Sequence, residues 1–229
     1  MPHKITISKR LLAIANMIDK KSIVADVGCD HAMLDVYLSN NNLVKKSIAC
    51  DVAPGPLKEA KKNVMLYNAF NVEVRLGNGL DAINKEDNVN TVVISGLGSQ
   101  KIIEILNFGA EKLKNVSTII IQSNTGYDKV RSSLNKIGYY VKDEILVKEH
   151  GIIYVIIKFQ KGKVKYVNKE LYFGPVLLKN KNNLFKELIQ SEINKNNKII
   201  GSLPYKKLIK KTGLKLKNIL LKKEIQGIK

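Results

Sequence analysis

Four short segments, each placed after a predicted strand, carry the residues best suited to chemistry. The first, 26–31, places Gly28 between the carboxylates Asp26 and Asp30. A residue without Cβ lets the backbone pass close to a ligand, and the helix beyond presents free amide groups. The loop is not Gly-x-Gly-x-x-Gly, so little favours a dinucleotide pyrophosphate. The acidic pair instead suits a ligand with a cationic part, such as the ammonium and sulfonium of S-adenosylmethionine.

The second and third segments supply groups for the rest of an adenosyl ligand. Asp51 ends the next strand, 23 residues after Gly28, where a carboxylate can take both ribose hydroxyls or simply cap the following helix. In 77–80, two glycines let the backbone fold against a flat ring. Asn78 can accept from an exocyclic amine and donate to a ring nitrogen, or merely form an Asn-Gly turn. The order of these segments on consecutive strands predicts an adenosyl pocket.

The fourth segment, 94–99, would admit the substrate. Small residues at the carboxyl end of a strand leave room where ligands enter an open α/β sheet. An Asn-Pro-Pro-Tyr sequence, used by some enzymes to methylate exocyclic amines, is absent, which favours a ring nitrogen or another acceptor. A carboxylate near such a ring would stabilise its developing positive charge, and Asp30 is the candidate, either for this catalytic role or for cofactor binding alone.

The elements that position these segments alternate between strand and helix from 22 to 137, which predicts a parallel sheet covered on both faces. Two successive strands follow, 139–149 and 152–159, joined around His150 and Gly151 as a β-hairpin. An α/β sheet that ends in a hairpin is typical of Rossmann-like methyltransferases rather than dehydrogenases.

The last 69 residues differ in character from the preceding part of the chain. A linker is predicted over 161–169, followed by two Lys-rich amphipathic helices around a turn at 201–204. The second apolar stripe consists of Leu208, Ile209, Leu216, Ile219 and Leu220. We therefore expect a catalytic domain over 1–160 and a basic antiparallel helical hairpin over 161–229.

The charge of the chain is unevenly distributed. Of the formal net charge of +19, residues 161–229 carry +14, from 18 basic and 4 acidic side chains. Some of this excess reflects the Lys, Asn and Ile enrichment that an AT-rich genome produces. The asymmetry nevertheless favours a polyanionic partner, and nucleic acid ahead of a membrane surface because no lipid anchor is evident.

Composition also excludes several classes of protein. Cys29 and Cys50 have no metal-ligand spacing and the three histidines are scattered, so no metal site is expected. The two cysteines are expected to be buried, reduced thiols. The longest apolar runs, such as 152–157, are strand-sized and too short to span a bilayer. A cytoplasmic protein that is monomeric in the free state is expected.

Several of these segments together resemble the bacterial tRNA (adenine(22)-N1)-methyltransferases. The resemblance is carried by 8–11, 26–32, Asp51, 55–57, 77–80, 96–98, 122–124, Arg131, 151–154 and 173–175, and so spans most of the chain. It implies a class I methyltransferase domain with a C-terminal helical hairpin, S-adenosylmethionine as cofactor and N1 of a tRNA adenine as the methyl acceptor. The chain departs from the family pattern at Asn78, Ser99 and Ser123, where that family tends to have Asp, Gly and Pro, and its hairpin looks shorter.

The site residues expected on these grounds fall into two groups. The cofactor pocket is predicted to contain Asp26, Gly28, Asp30, His31, Asp51, Val52, Asn78, Gly79, Leu80 and Ser95. The tRNA is predicted to contact Lys9, Arg10, Gly96, Gly98, Asn124 and Arg131, together with the lysines of residues 161–229. The alternatives are a small-molecule or protein methyltransferase with a dimerising tail, and a non-catalytic nucleic-acid-binding protein on the same fold.

Overall fold

The computed structural model describes residues 5–204 and 207–228. In this part of the chain, seven strands form one sheet in the order β3-β2-β1-β4-β5-β7-β6. The strands are β1 (Ser22–Val27), β2 (Val44–Asp51), β3 (Val72–Leu76), β4 (Thr91–Leu97), β5 (Thr118–Ser123), β6 (Tyr139–Glu149) and β7 (Ile152–Lys161). The first five are mutually parallel, and β7 pairs antiparallel with both β5 and β6. The predicted Rossmann-like sheet ending in a β-hairpin is confirmed.

The helices that connect these strands are α1 (Lys9–Met17), α2 (Met33–Asn40), α3 (Pro54–Leu66), α4 (Ser99–Phe108) and α5 (Tyr127–Lys136). Ser8 begins α1 by accepting a hydrogen bond from the Leu11 amide at 3.2 Å, as its side-chain type predicts. Pro54 stands in the first turn of α3, where the missing N–H costs nothing. Helix α4 ends at Phe108, because the chain turns at Gly109, against which the Leu80 side chain packs.

Two clusters of buried apolar side chains hold the helices on the sheet. One joins Ile14 and Met17 of α1 to Leu34 of α2 and to strand residues such as Val93. The second joins α2 and α3 to β2 and β3, and contains Val36, Ala49, Leu57, Ala60 and Val72. Strands buried on both faces explain why the sequence shows apolar runs rather than alternation.

The chain divides into two compact units, the first ending at Val176 and the second beginning at Leu177. This division differs from the expected one between 160 and 161, because much of the expected linker packs on the first unit. The Tyr166 hydroxyl accepts from the Val141 amide at 3.0 Å, and the Asn135 side chain donates to the Val164 carbonyl at 2.9 Å. Two short helices, α6 (Asn168–Phe173) and α7 (Pro175–Lys179), then follow.

The second unit contains α8 (Asn183–Ser202) and α9 (Leu208–Ile225), while 205–206 and Lys229 lie outside the described residues. The helices run antiparallel, since Asn196 donates to Asn218 at 2.7 Å, whereas Lys186, earlier in α8, donates to the carbonyl of Ile228 after the end of α9 at 2.8 Å. This is the predicted helical hairpin. The apolar stripe that predicted α9 does not form the packed face, however, because Leu208, Ile209, Leu216, Ile219 and Leu220 are all more than half exposed. Asn218 and Leu221 are buried instead.

Across the described residues, the structure contains no helix that is both long and apolar enough to cross a membrane.

Candidate active site

The turn after β1 lies in the middle of one edge of the sheet. Val27 pairs with Cys50 of β2 on one side and with Ile94 of β4 on the other, so Gly28 emerges between the carboxyl ends of those strands. Gly28 has φ +77°, a conformation that favours glycine, and its amide donates to the Cys50 carbonyl at 2.8 Å. The turn therefore lies at the switch point where open α/β sheets bind ligands.

The two carboxylates of this turn lie in different surroundings. Asp30 is exposed, with its Oδ1 3.5 Å from Nε2 of His31, which is also exposed. Asp26 is 3 % exposed and lies beside Asp35 of α2, so it does not face a ligand as we expected from the sequence. Of the two, Asp30 alone presents its carboxylate to solvent at the turn.

Asp51 ends β2 beside the third segment. Its Oδ1 accepts from the Ala53 amide at 2.9 Å, so the local capping that the sequence left open does occur. The side chain is nevertheless half-buried rather than enclosed, and Val52 beside it is 66 % exposed. Asp51 also pairs in the sheet with Leu76, and its carbonyl accepts from the Gly77 amide at 3.0 Å. The strand pairing thus brings Asp51 next to Asn78.

The segment after β3 combines an exposed amide with a close backbone approach. Asn78 is exposed, and its side chain makes no capping hydrogen bond within the described chain. Gly79 has φ +62°, and a Cβ there would lie 3.1 Å from Ile105. Leu80 differs from its neighbours, because its side chain is buried against Gly109. Leu80 can therefore contribute only its backbone to the pocket.

The carboxyl end of β4 contains a bulge at Gly96. The register with β5 shifts between Ser95, which faces Gln122, and Leu97, which faces Ser123. Gly96 has φ +79° and is exposed. The Gly96 amide donates to Oε1 of Gln122 at 3.0 Å, and its carbonyl accepts from Nδ2 of Asn124 at 2.7 Å. Two side chains from β5 and the loop after it thus fix the shape of this bulge.

The side chain of Asn124 fixes the shape of the bulge at Gly96, and both ends of its amide already have hydrogen-bond partners. Its amide nitrogen donates to Gly96, and its Oδ1 accepts from Nε2 of Gln122 at 3.0 Å. Gly98 caps the start of α4, and Ser99, where the family tends to have glycine, is 7 % exposed. A Cβ at Gly126 would lie 2.4 Å from the Ser99 hydroxyl oxygen, so Ser99 fills space left by Gly126. Its hydroxyl does not line the acceptor mouth.

Arg10 of α1 reaches the same bulge. Its Nη1 donates to Oε1 of Gln122 at 2.6 Å, and its guanidinium carbon lies 5.5 Å from the centre of the Tyr154 ring. A Cβ on Gly96 would lie 3.4 Å from the same Nη1. Lys9 is exposed next to it, and its backbone amide donates to Glu149 at 2.7 Å. Arg10, Gly96 and Asn124 therefore lie together at this bulge, and Gly98 follows two residues later at the start of α4, while their contact with tRNA stays a prediction.

Arg131 does not belong to this group, and the prediction that it contacts tRNA is wrong. Its side chain is 1 % exposed, and Nε donates to Oε1 of Glu144 at 2.6 Å. Nη1 donates to the carbonyls of Leu171 and Tyr172, each at 3.0 Å. Arg131 thus joins α5, β6 and α6 inside the first unit.

Three residues at or below this site are absent from the predicted groups of site residues, namely Gln122, Tyr154 and Asp35, although the first two fall in segments that carry the family resemblance. Gln122 is fully buried at the end of an apolar strand, where a large amide needs several partners. Asp35 is a fully buried carboxylate between apolar positions of α2. An unexplained polar residue inside an apolar pattern was the available signal for both, whereas Tyr154 lay in a strand without any such mark.

The groups present fit an adenosyl ligand better than a metal. Among the described residues, no three His, Cys, Asp or Glu side chains are grouped so that they could hold a metal ion. Burial raises the pKa of the Cys29 and Cys50 thiols above the ordinary range, so both stay neutral. An open glycine turn, a half-buried carboxylate at Asp51 and an exposed amide at Asn78 follow three adjacent strands, as a nucleoside with a cationic appendage requires.

Comparison with known proteins agrees with this geometry. Residues 24–229 match the family described as tRNA (adenine(22)-N(1))-methyltransferase. The enzyme of that name from Bacillus subtilis is 31 % identical over 190 residues, which cover 80 % of this chain and 79 % of the relative. A putative tRNA methyltransferase from Mycoplasma genitalium is 30 % identical over 74 % of this chain and 78 % of its own.

Solved structures extend the similarity to the whole fold. A Streptococcus pneumoniae protein, a putative tRNA (m1A22) methyltransferase in complex with S-adenosylmethionine, superposes with a TM-score of 0.90 at 32 % identity over 96 % of this chain and 100 % of that one. The M. capricolum protein TrmK in complex with S-adenosylhomocysteine gives 0.86 at 33 % identity over 97 % and 99 %. On this evidence, the chain belongs to the tRNA (adenine(22)-N(1))-methyltransferase family.

Proposed function

We propose that this chain is an S-adenosylmethionine-dependent methyltransferase that modifies N1 of adenine 22 in tRNA. The observation that carries the proposal is the meeting of four segments at one sheet edge, in a chain that matches this family over 24–229. The register of β2, β1 and β4 brings together the Gly28 turn, Asp51 and the Gly96 bulge. Relatives of this family have been solved with the cofactor and with its product.

The cofactor-binding roles follow from exposure at this edge. Gly28 allows close approach of the backbone, Asp51 has a second carboxylate oxygen available for ribose hydroxyls, and Asn78 offers both a donor and an acceptor to adenine. Gly79, Leu80 and Ser95 contribute backbone around the same space, with Val52 and His31 exposed beside it. When bound, S-adenosylmethionine supplies a methyl group on a sulfonium that a lone pair can displace.

Positioning is the main task of the protein in this reaction. Adenine N1 already carries a lone pair, so the reaction depends on alignment more than on deprotonation. Methylation leaves the ring cationic, and the exposed carboxylate of Asp30 stabilises that charge as it develops. The target adenine must also leave its stack, and the open bulge at Gly96, bordered by Arg10, is where we place it.

The basic second unit supports an RNA substrate. Its lysines on α8 and α9 are mostly exposed, and only a few pair with acidic side chains in the described residues, as Lys217 does with Glu192. Such a surface attracts phosphates without reading sequence. We therefore propose that the first unit, through Val176, is catalytic and that the helical hairpin of α8 and α9 binds tRNA. A cytoplasmic monomer is the form in which we expect this to occur.

Mapping the modified nucleotide tests the proposal directly. The purified chain is incubated with unmodified tRNA and methyl-labelled cofactor, and the tRNA is digested and analysed by mass spectrometry. The expected result is 1-methyladenosine at position 22 alone, with none on a matched tRNA that carries guanine there. Label in protein or small molecules but not in tRNA would support a different acceptor. A chain that binds no cofactor in calorimetry would be a non-catalytic RNA-binding protein.

A further inference from the structure

The turn between β1 and α2 has an unfavourable backbone conformation. Three of its five residues have positive φ, namely Gly28 at +77°, Asp30 at +52° and Ala32 at +54°. Only glycine adopts this region freely, and alanine has no side-chain hydrogen bond to compensate. The conformation persists only where the surrounding structure holds it in place.

The first set of restraints on this turn comes from the backbone. The amides of Gly28 and Cys29 both donate to the Cys50 carbonyl, at 2.8 and 3.0 Å. The Asn63 side chain donates to the His31 carbonyl at 2.9 Å. Together with the bond from the Ala32 amide to the Cys29 carbonyl at 2.9 Å, these bonds hold the turn itself, but none of them joins β1 directly to α2.

The two ends are joined by a pair of carboxyl groups. Asp26 lies near the end of β1 and Asp35 in the first turn of α2, with relative exposures of 3 % and 0 %. The two side chains are hydrogen-bond neighbours. Within the described residues, Oδ1 of Asp26 and Oδ2 of Asp35 are buried with no partner. Two bare carboxylates in contact would repel and would leave these two oxygens without a donor, whereas one shared proton satisfies both.

The proton belongs on Asp26, because only Asp35 has groups that stabilise a carboxylate. The Ser47 hydroxyl donates to Oδ1 of Asp35, and the first turn of a helix favours a negative charge there. Asp26 has neither. Burial first, then the charge and hydrogen bond of Asp35, raise the pKa of Asp26 well above its ordinary value.

The other charged groups around the pair do not replace this proton. Arg10 on α1 lowers the pKa of Asp26, but less than burial and Asp35 raise it, and Asp51 on β2 raises it slightly. Burial raises the pKa of Asp35 as well, although the bonds from Ser47 and Asp26 oppose this. The thiols of Cys29 and Cys50 are neutral neighbours.

We infer that Asp26 is a protonated carboxylic acid that donates to the carboxylate of Asp35, and that this pair holds the cofactor turn in its binding shape. Asp35 is thus a positioning residue, and Asp26 acts as a hydrogen-bond donor rather than as an anion facing the ligand. This assignment rests on the proposed function only in naming the ligand that the turn receives. It predicts that a neutral amide can replace the acid at Asp26 but that an apolar side chain cannot.

Calorimetry with S-adenosylhomocysteine tests the positioning role with two variants of the same residue. Asp26→Asn keeps a donor toward Asp35, so its Kd is expected to stay within about threefold of the wild type. Asp26→Leu loses the bridge and leaves Asp35 unpaired, and its Kd is expected to rise about tenfold or more. Equal losses in both variants would overturn the inference, because they would show that an ionised Asp26 is required.

Infrared spectroscopy tests the proton itself and needs no ligand. At about pH 7 the wild type is expected to show the carbonyl stretch of a protonated carboxylic acid, which disappears in Asp26→Asn. The same band should persist in Glu111→Gln, a change to an exposed carboxylate on the surface. Absence of the band from about pH 6 to about pH 8 would overturn the inference, whatever the variants do. The affinity of the wild type for S-adenosylhomocysteine tests the proposed cofactor separately. Lack of that affinity would contradict the proposed function, whereas absence of the infrared band would contradict only the protonated Asp26–Asp35 pair.

Discussion

Nη1 of Arg10 lies 2.6 Å from Oε1 of Gln122, and that same oxygen accepts from the Gly96 amide at 3.0 Å. One buried side chain of β5 therefore orients a cation from α1 and fixes the bulge that ends β4. The other end of the Gln122 amide donates to Asn124, which in turn donates to the Gly96 carbonyl. The mouth at Gly96 is thus shaped by a closed hydrogen-bond network rather than by a flexible glycine loop.

Removing the Gln122 amide should impair the acceptor side of the site selectively. In Gln122→Leu, the Gly96 amide and the Arg10 guanidinium lose a shared acceptor, and the bulge is no longer fixed. We expect kcat/KM for tRNA methylation to fall by about tenfold to a hundredfold, since misplacement of a reacting group is costly. The Kd for S-adenosylhomocysteine should change by less than about threefold, because the turn after β1 is unaffected.

Gln160→Leu is the matched control for this change. Gln160 lies on β7 opposite Thr118, at the other end of the sheet, and its side chain accepts from the Tyr140 hydroxyl at 2.9 Å. In steady-state kinetics with unmodified tRNA, kcat/KM of Gln160→Leu should be close to that of the wild type. Similar losses in both variants would mean that the effect comes from general destabilisation of the sheet and not from a changed bulge at Gly96.

Arg131→Met should lower stability without any specific effect on RNA. The change leaves the buried carboxylate of Glu144 without its guanidinium partner, and it removes the donor to the carbonyls of Leu171 and Tyr172. Breaking a buried ion pair from one side costs about 3–5 kcal/mol, which urea unfolding would measure as a lower midpoint with a similar slope. Replacing Glu144 by Leu in the same chain should recover part of the loss.

Lys129→Met, an exposed change on the same helix, serves as the control and should leave unfolding almost unchanged. If Arg131→Met were as stable as this control but bound tRNA weakly, Arg131 would have the substrate role that the structure argues against.

The contrast between Arg10 and Arg131 shows what could be predicted from the sequence. Both are predicted to contact tRNA, and only Arg10 reaches the bulge at Gly96. Arg131 is buried because Glu144, 13 residues later on the following strand β6, and the carbonyls of α6 enclose it. Local periodicity does not reveal such a partner. In the same way, the bounds of β1 could be predicted from an apolar run, whereas the bulge at Gly96 depends on Gln122 of another strand.

The second unit shows the same limit for packing. Its two helices were predicted from apolar spacing, but the stripe that includes Ile209 and Leu216 is exposed. The side of α9 that packs contains Asn218, whose side chain pairs with Asn196 and Asn197 of α8. Which face of a helix is buried depends on its partner, and two asparagines that satisfy each other are not apparent from hydrophobicity.

Lysines on α9 should account for much of the salt dependence of tRNA binding. In a triple variant, Lys210, Lys215 and Lys222, all exposed, are changed to Gln. If each contacts a phosphate, the slope of log affinity against log salt should become shallower by about 1 for each lysine. The control changes Lys20, Lys45 and Lys142, which are exposed toward the amino ends of the strands. Filter binding across a salt series should show the original slope for this control, and an equal effect of both sets would contradict a role for the hairpin.

Asp87 should give the stability of the first unit an acid-sensitive component. The Arg75 guanidinium donates to it, and this bond holds the pKa of Asp87 at about 2. Because that value lies below the pKa of about 3.9 in an unfolded chain, the stabilisation is complete above about pH 4 and is lost as the pH falls toward 2. Asp87→Asn should therefore be less stable than the wild type by about 2 kcal/mol at neutral pH, with the gap closing below about pH 4. Urea unfolding across this range measures the gap, and one that persisted at low pH would show that ionisation is not the cause.

Asp30→Asn separates a catalytic role of the exposed carboxylate from a role in cofactor binding. Asparagine tolerates the positive φ of +52° at this position, so the turn keeps its shape, whereas alanine would add backbone strain. If the carboxylate stabilises the cationic adenine, single-turnover methylation at saturating cofactor should slow by about tenfold, with the Kd for S-adenosylhomocysteine within about threefold of the wild type. Glu104→Gln, which removes an exposed carboxylate from α4, should leave both quantities unchanged. A slow variant that recovers at higher cofactor concentration would assign Asp30 to binding alone, because a charge that acts only on the methylated ring cannot be replaced by more cofactor.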